Sequence, residues 1–197
     1  MAVALTEILR YRPPRVREET TAELGMLIFL GSWAMLFAGL FFAYGLVRTG
    51  AHGWPPKGLP RLPLALPALN SAVILGSSAL LQWGLVRLRR GQRAATMIFG
   101  AFLLGVAFLA LQCVVWVRLW HEGLLPTGGA YPSVFYGLTV FHALHVLVGL
   151  FALAALALGA ARGIYNAGRH LPVRLWAMYW HFVGAAWIIL FTTVYAL

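Results

Sequence analysis

The run VFYGLTVFHALHVLVGLF, residues 134–151, decides the fold. It holds no Asp, Glu, Lys or Arg, and it sits inside an apolar stretch reaching from about 132 to 161. Apolar runs beyond about 18 residues read as membrane-spanning helices. Two histidines, His142 and His145, interrupt this one. A spacing of three sets their imidazoles about 60° apart on one broad side of a helix. Ionisable groups within a span face protein or water rather than lipid, so this side is expected to meet other helices. Gly149 falls on the same side, four residues past His145, where a neighbouring helix can come close.

Composition extends the reading to the whole chain. Of 197 residues, 61% are hydrophobic and 10% charged, against about 25% charged in soluble domains. The net charge of +10 is explained by arginines clustered at span ends, not by a nucleic-acid surface. The single cysteine, Cys113, excludes an internal disulfide and is expected to pack as a small apolar residue. The polar, mixed-charge N-terminus carries no cleavable-signal pattern, so the first span is expected to direct insertion itself.

The apolar runs predict an all-α integral membrane bundle of five helices. A polar tail over 1–22, broken by Pro13-Pro14, precedes spans at about 23–47, 67–88, 94–117, 132–161 and 173–197. Small residues mark expected packing faces: Gly31, Ala38 and Gly45 in the first span, Ala72, Gly76 and Gly84 in the second, Ala101 and Gly105 in the third. Trp176, Tyr179 and Trp180 fit an interfacial aromatic belt at the start of the fifth. Eleven basic residues fall on one side: Arg10, Arg12, Arg15, Arg17, Arg87, Arg89, Arg90, Arg93, Arg162, Arg169 and Arg174. The other side has four: Arg48, Lys57, Arg61 and Arg118. The bias predicts a cytoplasmic N-terminus and an outside C-terminus.

The chemistry open to such a chain is narrow. Its acids are Glu7, Glu18, Glu19, Glu23 and Glu122; only Glu23 touches a span, at its edge, so the membrane interior holds no carboxylate. Transmembrane proton relays use chains of Asp, Glu or His, and three intramembrane histidines do not form one. A haem-binding membrane cytochrome remains a competing reading, with His181 and either His142 or His145 as axial ligands. The alternative is that His142, His145 and His181 are structural and hydrogen-bond between the fourth and fifth spans. A binuclear haem–copper centre needs more histidines than the spans hold, and a dinuclear copper site needs a second cysteine. A small transporter would show broken helices or a buried charge, and neither is present. No catalytic or metal-binding residue is expected in this chain.

Five segments together resemble subunit III of haem–copper terminal oxidases: ELGMLIFLGSWAMLFAGLFFAY (23–44), Trp54-Pro55-Pro56, LPALNSAVILGSSALLQWG (66–84), SVFYGLTVFHALHVLVG (133–149) and YWHFVGAAWIILFTTVY (179–195). The order and spacing of FHxLHV and YWHFV carry most of the specificity. The chain looks like the short five-span bacterial form. The resemblance implies a non-catalytic accessory subunit of a respiratory haem–copper oxidase, of the cytochrome c oxidase type, in the bacterial inner membrane. It implies no cofactor in this chain, with haem and copper in partner subunits. It also implies docking on the catalytic subunit I among other oxidase subunits, in a hetero-oligomer that binds phospholipid. Arg162 and His170 are the lipid-binding candidates. Without gaps, the family's headgroup arginine aligns with Gly159, and Arg162 lies one turn on.

Four positions depart from the family pattern. Trp33 and Gly184 stand where the family has acids, Val115 lies at the place of a glutamate, and Arg174 opens the last span where a glutamate is common. An acid in the membrane costs about 2.5–3.5 kcal/mol on insertion scales. Its systematic loss is expected where the associated function is not used.

Overall fold

The computed structural model describes residues 14–56, 59–60 and 62–196. All regular structure within them is helical. Five long helices follow in order: α1 Pro14–Thr49, α2 Ala65–Arg89, α3 Ala95–His121, α4 Ala130–Ala161 and α5 Leu171–Leu190. The last runs into one turn of wider π-helix, Phe191–Ala196. Each has the length and apolar content to cross a membrane, so the chain is a multi-pass membrane protein. α1 reaches back to Pro14, well before the expected start of the first span, because proline is tolerated in a first helical turn. Only residues 1–13 of the expected tail lie outside the described residues. At 36 residues α1 is about 54 Å long, so its ends project beyond a hydrocarbon core of about 30 Å.

The breaks between helices follow the sequence. α2 ends where Gly91 takes φ +74°, and α4 ends where Gly163 takes φ +71°. In each case a backbone N–H one residue further returns to the helix, Gln92 to Arg87 O and Ile164 to Gly159 O. This is the left-handed C-terminal closure that glycine accommodates without strain. The two turns lie at the same end of the bundle.

α2, α3, α4 and α5 form a closed four-helix block in which each helix packs on two others. α1 lies outside it, against α4 and α5. Lipid tails are as apolar as leucine, so apolar burial alone does not drive such helices together; close packing and hydrogen bonds do. The block has both. Gly84 lets α3 approach, with Met97 and Ile98 against its open face, and Ser77 Oγ donates across to Ala101 O at 2.6 Å. The small-residue face expected on α1 is not used among the described residues, none of which lies within 4 Å of where a Cβ would stand at Gly31 or Gly45. Instead α1 is tied at its ends. Glu23 pairs with Arg174 of α5, and Arg48 Nη1 donates to Thr193 O at 3.3 Å.

Candidate functional site

The residues singled out in the sequence separate into a buried layer in the middle of the bundle and a basic end. The buried layer is organised by two tryptophans of α5 rather than by its histidines. Trp180 is fully buried, and its indole lies over two helices that lack side chains there. A Cβ at Gly149 would come within 2.6 Å of Trp180 Cε3, and one at Gly105 within 2.8 Å of Trp180 Cζ2. The ring therefore fits only because α3 and α4 both present glycine. Its Nε1 donates to Ser77 Oγ of α2 at 3.0 Å, so one side chain joins four helices. Two turns on, Trp187 Nε1 donates to Ser71 Oγ at 2.9 Å, and its ring meets Phe108 edge-on at 4.9 Å.

These contacts correct the aromatic-belt expectation. Trp180 and Tyr179 point inward, and Tyr179 Oη donates to the backbone carbonyl of His145 at 3.0 Å. Both polar tips find partners inside the bundle, which removes the reason to sit at the headgroups. Cys113 differs from expectation in the other direction: it is exposed, beside Trp116 and Trp120 on the outer face of α3.

The histidines do not link α4 to α5 by their side chains. His142 is buried among the rings of Trp187 at 5.4 Å, Phe108 at 6.0 Å and Phe37 at 6.2 Å. Neither of its nitrogens meets a hydrogen-bond partner. His145 Nδ1 lies 2.7 Å from Phe141 O of its own helix, which places the proton on Nδ1 and leaves Nε2 a buried acceptor without a partner. His181 Nε2 lies 3.2 Å from Gln82 Oε1 and so joins α5 to α2. A haem between His181 and either other histidine finds no slot. His142 is ringed as described, and His145 is closed off by Trp33 at 4.2 Å, Phe141 at 4.7 Å and Phe37 at 5.2 Å. Among the described residues no three His, Cys, Asp or Glu side chains converge as a metal-binding group.

Two of the four departures lie beside atoms left without partners. Trp33 stands edge-on to His145, whose Nε2 is unpaired. Gly184 faces Ser78, whose Oγ is also unpaired and would lie 3.3 Å from a Cβ at 184. Val115 is fully buried. Arg174 is the partner of Glu23.

At the basic end, Gly159 has no room for the arginine that alignment would set there, because a Cβ would come within 2.7 Å of the Tyr165 ring. Arg162 is exposed and lines a cavity of about 520 Å³ with Gln92, Arg93, Tyr165 and Asn166. His170 lies apart from it, its Nδ1 2.8 Å from Ala167 O in the α4–α5 loop. The structure thus sets Arg162 beside the same cavity as Arg93, which nothing but its charge singles out in the sequence. It also reveals a polar chain spanning α2, α3 and the C-terminal turn: Asn70 Nδ2 to Gln112 Oε1, and Gln112 Nε2 to Tyr195 Oη, each at 3.4 Å. Polar residues inside otherwise apolar spans were the available signal for it.

Known proteins resemble this chain along most of its length. The family model for cytochrome c oxidase subunit III matches residues 15–197. Cytochrome c oxidase subunit 3 of Thermostichus vulcanus is 37% identical over 179 residues, covering 88% of this chain and 86% of that one. The Synechocystis protein of the same name is 38% identical over 176 residues, covering 88% and 74%. A probable cytochrome c oxidase subunit 3 of Nocardia farcinica is 37% identical over 176 residues, covering 87% and 86%. A match along nearly the whole bundle, the FHALH and YWHFV helices included, means that the chain belongs to the cytochrome c oxidase subunit III family.

Proposed function

We propose that this protein is the non-catalytic subunit of a respiratory oxidase that steadies the catalytic subunit and holds phospholipid at its basic end. Membership of the subunit III family implies a hetero-oligomeric oxidase complex. The observation that carries the accessory role is the filled interior. Where a cofactor or substrate would have to sit, Trp180 occupies the space between Gly105 and Gly149, and aromatic rings surround His142 and His145. A chain packed this way acts through its outer surface. α1 offers such a surface, with Leu27, Ile28, Met35 and Phe42 all exposed and apolar.

The positive-inside bias supports a cytoplasmic basic end and N-terminus, and the bacterial relatives support a location in the bacterial inner membrane. Haem and copper then belong to partner subunits, subunit I first among them. Arg162 is the lipid-headgroup candidate on its exposure and charge; His170 is the weaker one, being engaged with its own loop.

Extraction in mild detergent followed by identification of co-purifying chains tests the reading. An oxidase large subunit should accompany the protein, and recovery of the chain alone would remove the proposal. A visible spectrum of the isolated chain adds a second arm: a Soret band lost in His181→Ala would favour the cytochrome instead.

A further inference from the structure

The seam between α2 and α5 carries a polar pair that the bundle leaves uncovered. His181 Nε2 and Gln82 Oε1 lie 3.2 Å apart, yet among the described residues Gln82 is exposed and His181 only half-buried. Both sit at membrane depth. Counted along their helices from Arg87 and Arg174, they lie about 8 and 10 Å in from the basic end. One turn deeper on the same seam, Ser78 Oγ faces Gly184 and has no partner. These two contacts run in opposite senses along the two helices, so Ala79 falls level with Ala185, and Leu75 with Ile189. All four of those residues are exposed.

The other sides of α5 are occupied. Trp180 and Trp187 are fully buried, and Phe182 meets Phe37 of α1 at 6.2 Å. What remains is a shallow trough, floored by two alanines, polar toward the basic end and apolar toward the other. Lipid tails satisfy neither an amide nor an imidazole, and polar side chains within spans face protein or water. The pair leaves one hydrogen-bond donor and one acceptor unmet whichever way the Gln82 amide is turned. In one arrangement these are the Gln82 NH2 and His181 Nδ1; in the other they are His181 Nδ1–H and the Gln82 carbonyl. A carboxyl or carboxamide group carries both complements on adjacent atoms. The alanines beside the pair let a helix backbone come close enough to deliver it.

We infer that the α2–α5 trough seats one membrane-spanning helix of another chain, which presents an Asp, Glu, Asn or Gln side chain to Gln82 and His181. The inference goes beyond the proposed function, which gives no partner a seat on this face. It stands whichever complex supplies the helix.

The test is photocrosslinking of the full chain in native membranes, before any detergent is added, from p-benzoylphenylalanine placed at Ile189 on the rim of the trough. The probe is expected to capture one other chain. Peptide mass spectrometry should map the crosslink to an apolar run of about 20 residues that holds one of the four side chains. Gln82→Leu combined with His181→Leu should lower the yield at least fivefold. Ala79→Phe, which blocks the trough and points away from the core, should do the same, with circular dichroism unchanged in both variants. Crosslinks confined to lipid, to a second copy of this chain or to a span without an acid or amide would each overturn the inference. So would an unchanged yield in both variants. Co-purification with an oxidase large subunit is scored on the same samples. A captured helix from an unrelated complex would leave the seat standing and remove the accessory-subunit reading; an oxidase recovered while Ile189 meets only lipid would do the opposite.

Discussion

The four-helix block and α1 are built from similar residues and held in opposite ways. Within α2–α5 the contacts are so close that single hydrogen atoms matter: glycine at 105 and 149, an indole between them, a serine hydroxyl receiving its N–H. Along α1, no described residue comes within 4 Å of where a Cβ would stand at Gly25, Gly31, Gly39 or Gly45. The helix is held by ring contacts from Trp33 and Phe37 and by polar ties at its ends. An apolar helix in lipid gains nothing from apolar burial as such. A tightly interlocked block therefore defines the fold, and a loosely held helix is available for contact with something else.

The sharpest way to break this contrast is Gly149→Leu. The added side chain has to displace the Trp180 ring, and overpacking of this kind costs about 3 kcal/mol. A lower midpoint in detergent–SDS unfolding would register it, and an unchanged midpoint would show that the block is less close-packed than described. Next in size is a charge on α1. Met35→Glu faces outward at 78% exposure and should cost about 2.5–3.5 kcal/mol on insertion. Trp33→Glu, on the same helix, should cost about 1 kcal/mol less, because a protonated carboxyl there can donate to the unpaired Nε2 of His145. Equal insertion of the two variants in a translocation assay would deny His145 that role.

Smaller effects sharpen the picture. Trp180→Phe keeps an aromatic ring but loses the bond to Ser77 and some volume, for about 1–2 kcal/mol in the same unfolding assay. Gln112→Leu removes two long interhelical bonds and should cost only about 0.6 kcal/mol, the usual value for such bonds in membranes. Gly31→Ala and Gly39→Ala on α1 should stay within about 0.5 kcal/mol of the wild type or stabilise slightly, since alanine is the better helix former. If they nevertheless weaken co-purification with an oxidase, α1's small-residue face is a docking surface for another chain. A fall in the chain's own stability would contradict the open space seen there.

The four departures acquire a physical meaning when paired with their neighbours. An uncharged residue where the resemblance expects an acid avoids a large insertion cost but leaves the polar groups around it without that partner. At Trp33 the neighbour is an imidazole with one unpaired nitrogen, and at Gly184 it is an unpaired serine hydroxyl. Each unpaired group costs about 1–3 kcal/mol, so the exchange is close to even rather than a plain gain. Arg174 is different. It carries a charge of its own, and its partner Glu23 stands on α1. Both side chains are partly exposed, so the pair contributes no more than about 1 kcal/mol and serves mainly to fix α1's position.

What the sequence determined alone was the number and type of elements. Hydropathy over windows of about 20 residues is local, and so are the glycines that end α2 and α4; these need no knowledge of partners. The FHALH and YWHFV helices were legible as protein-facing because polar groups in lipid must be covered. What only the tertiary structure decided was which faces meet. Gly31, Gly45, Gly105 and Gly149 look alike as residues, yet two meet open space and two are covered by one tryptophan. Trp180 reads equally well as an interfacial anchor or a core ring, and a serine about a hundred positions earlier settles the matter. The cavity beside Arg162 depends on two turns distant in the chain ending side by side. Close approach is a property of pairs of helices, and no single helix carries it.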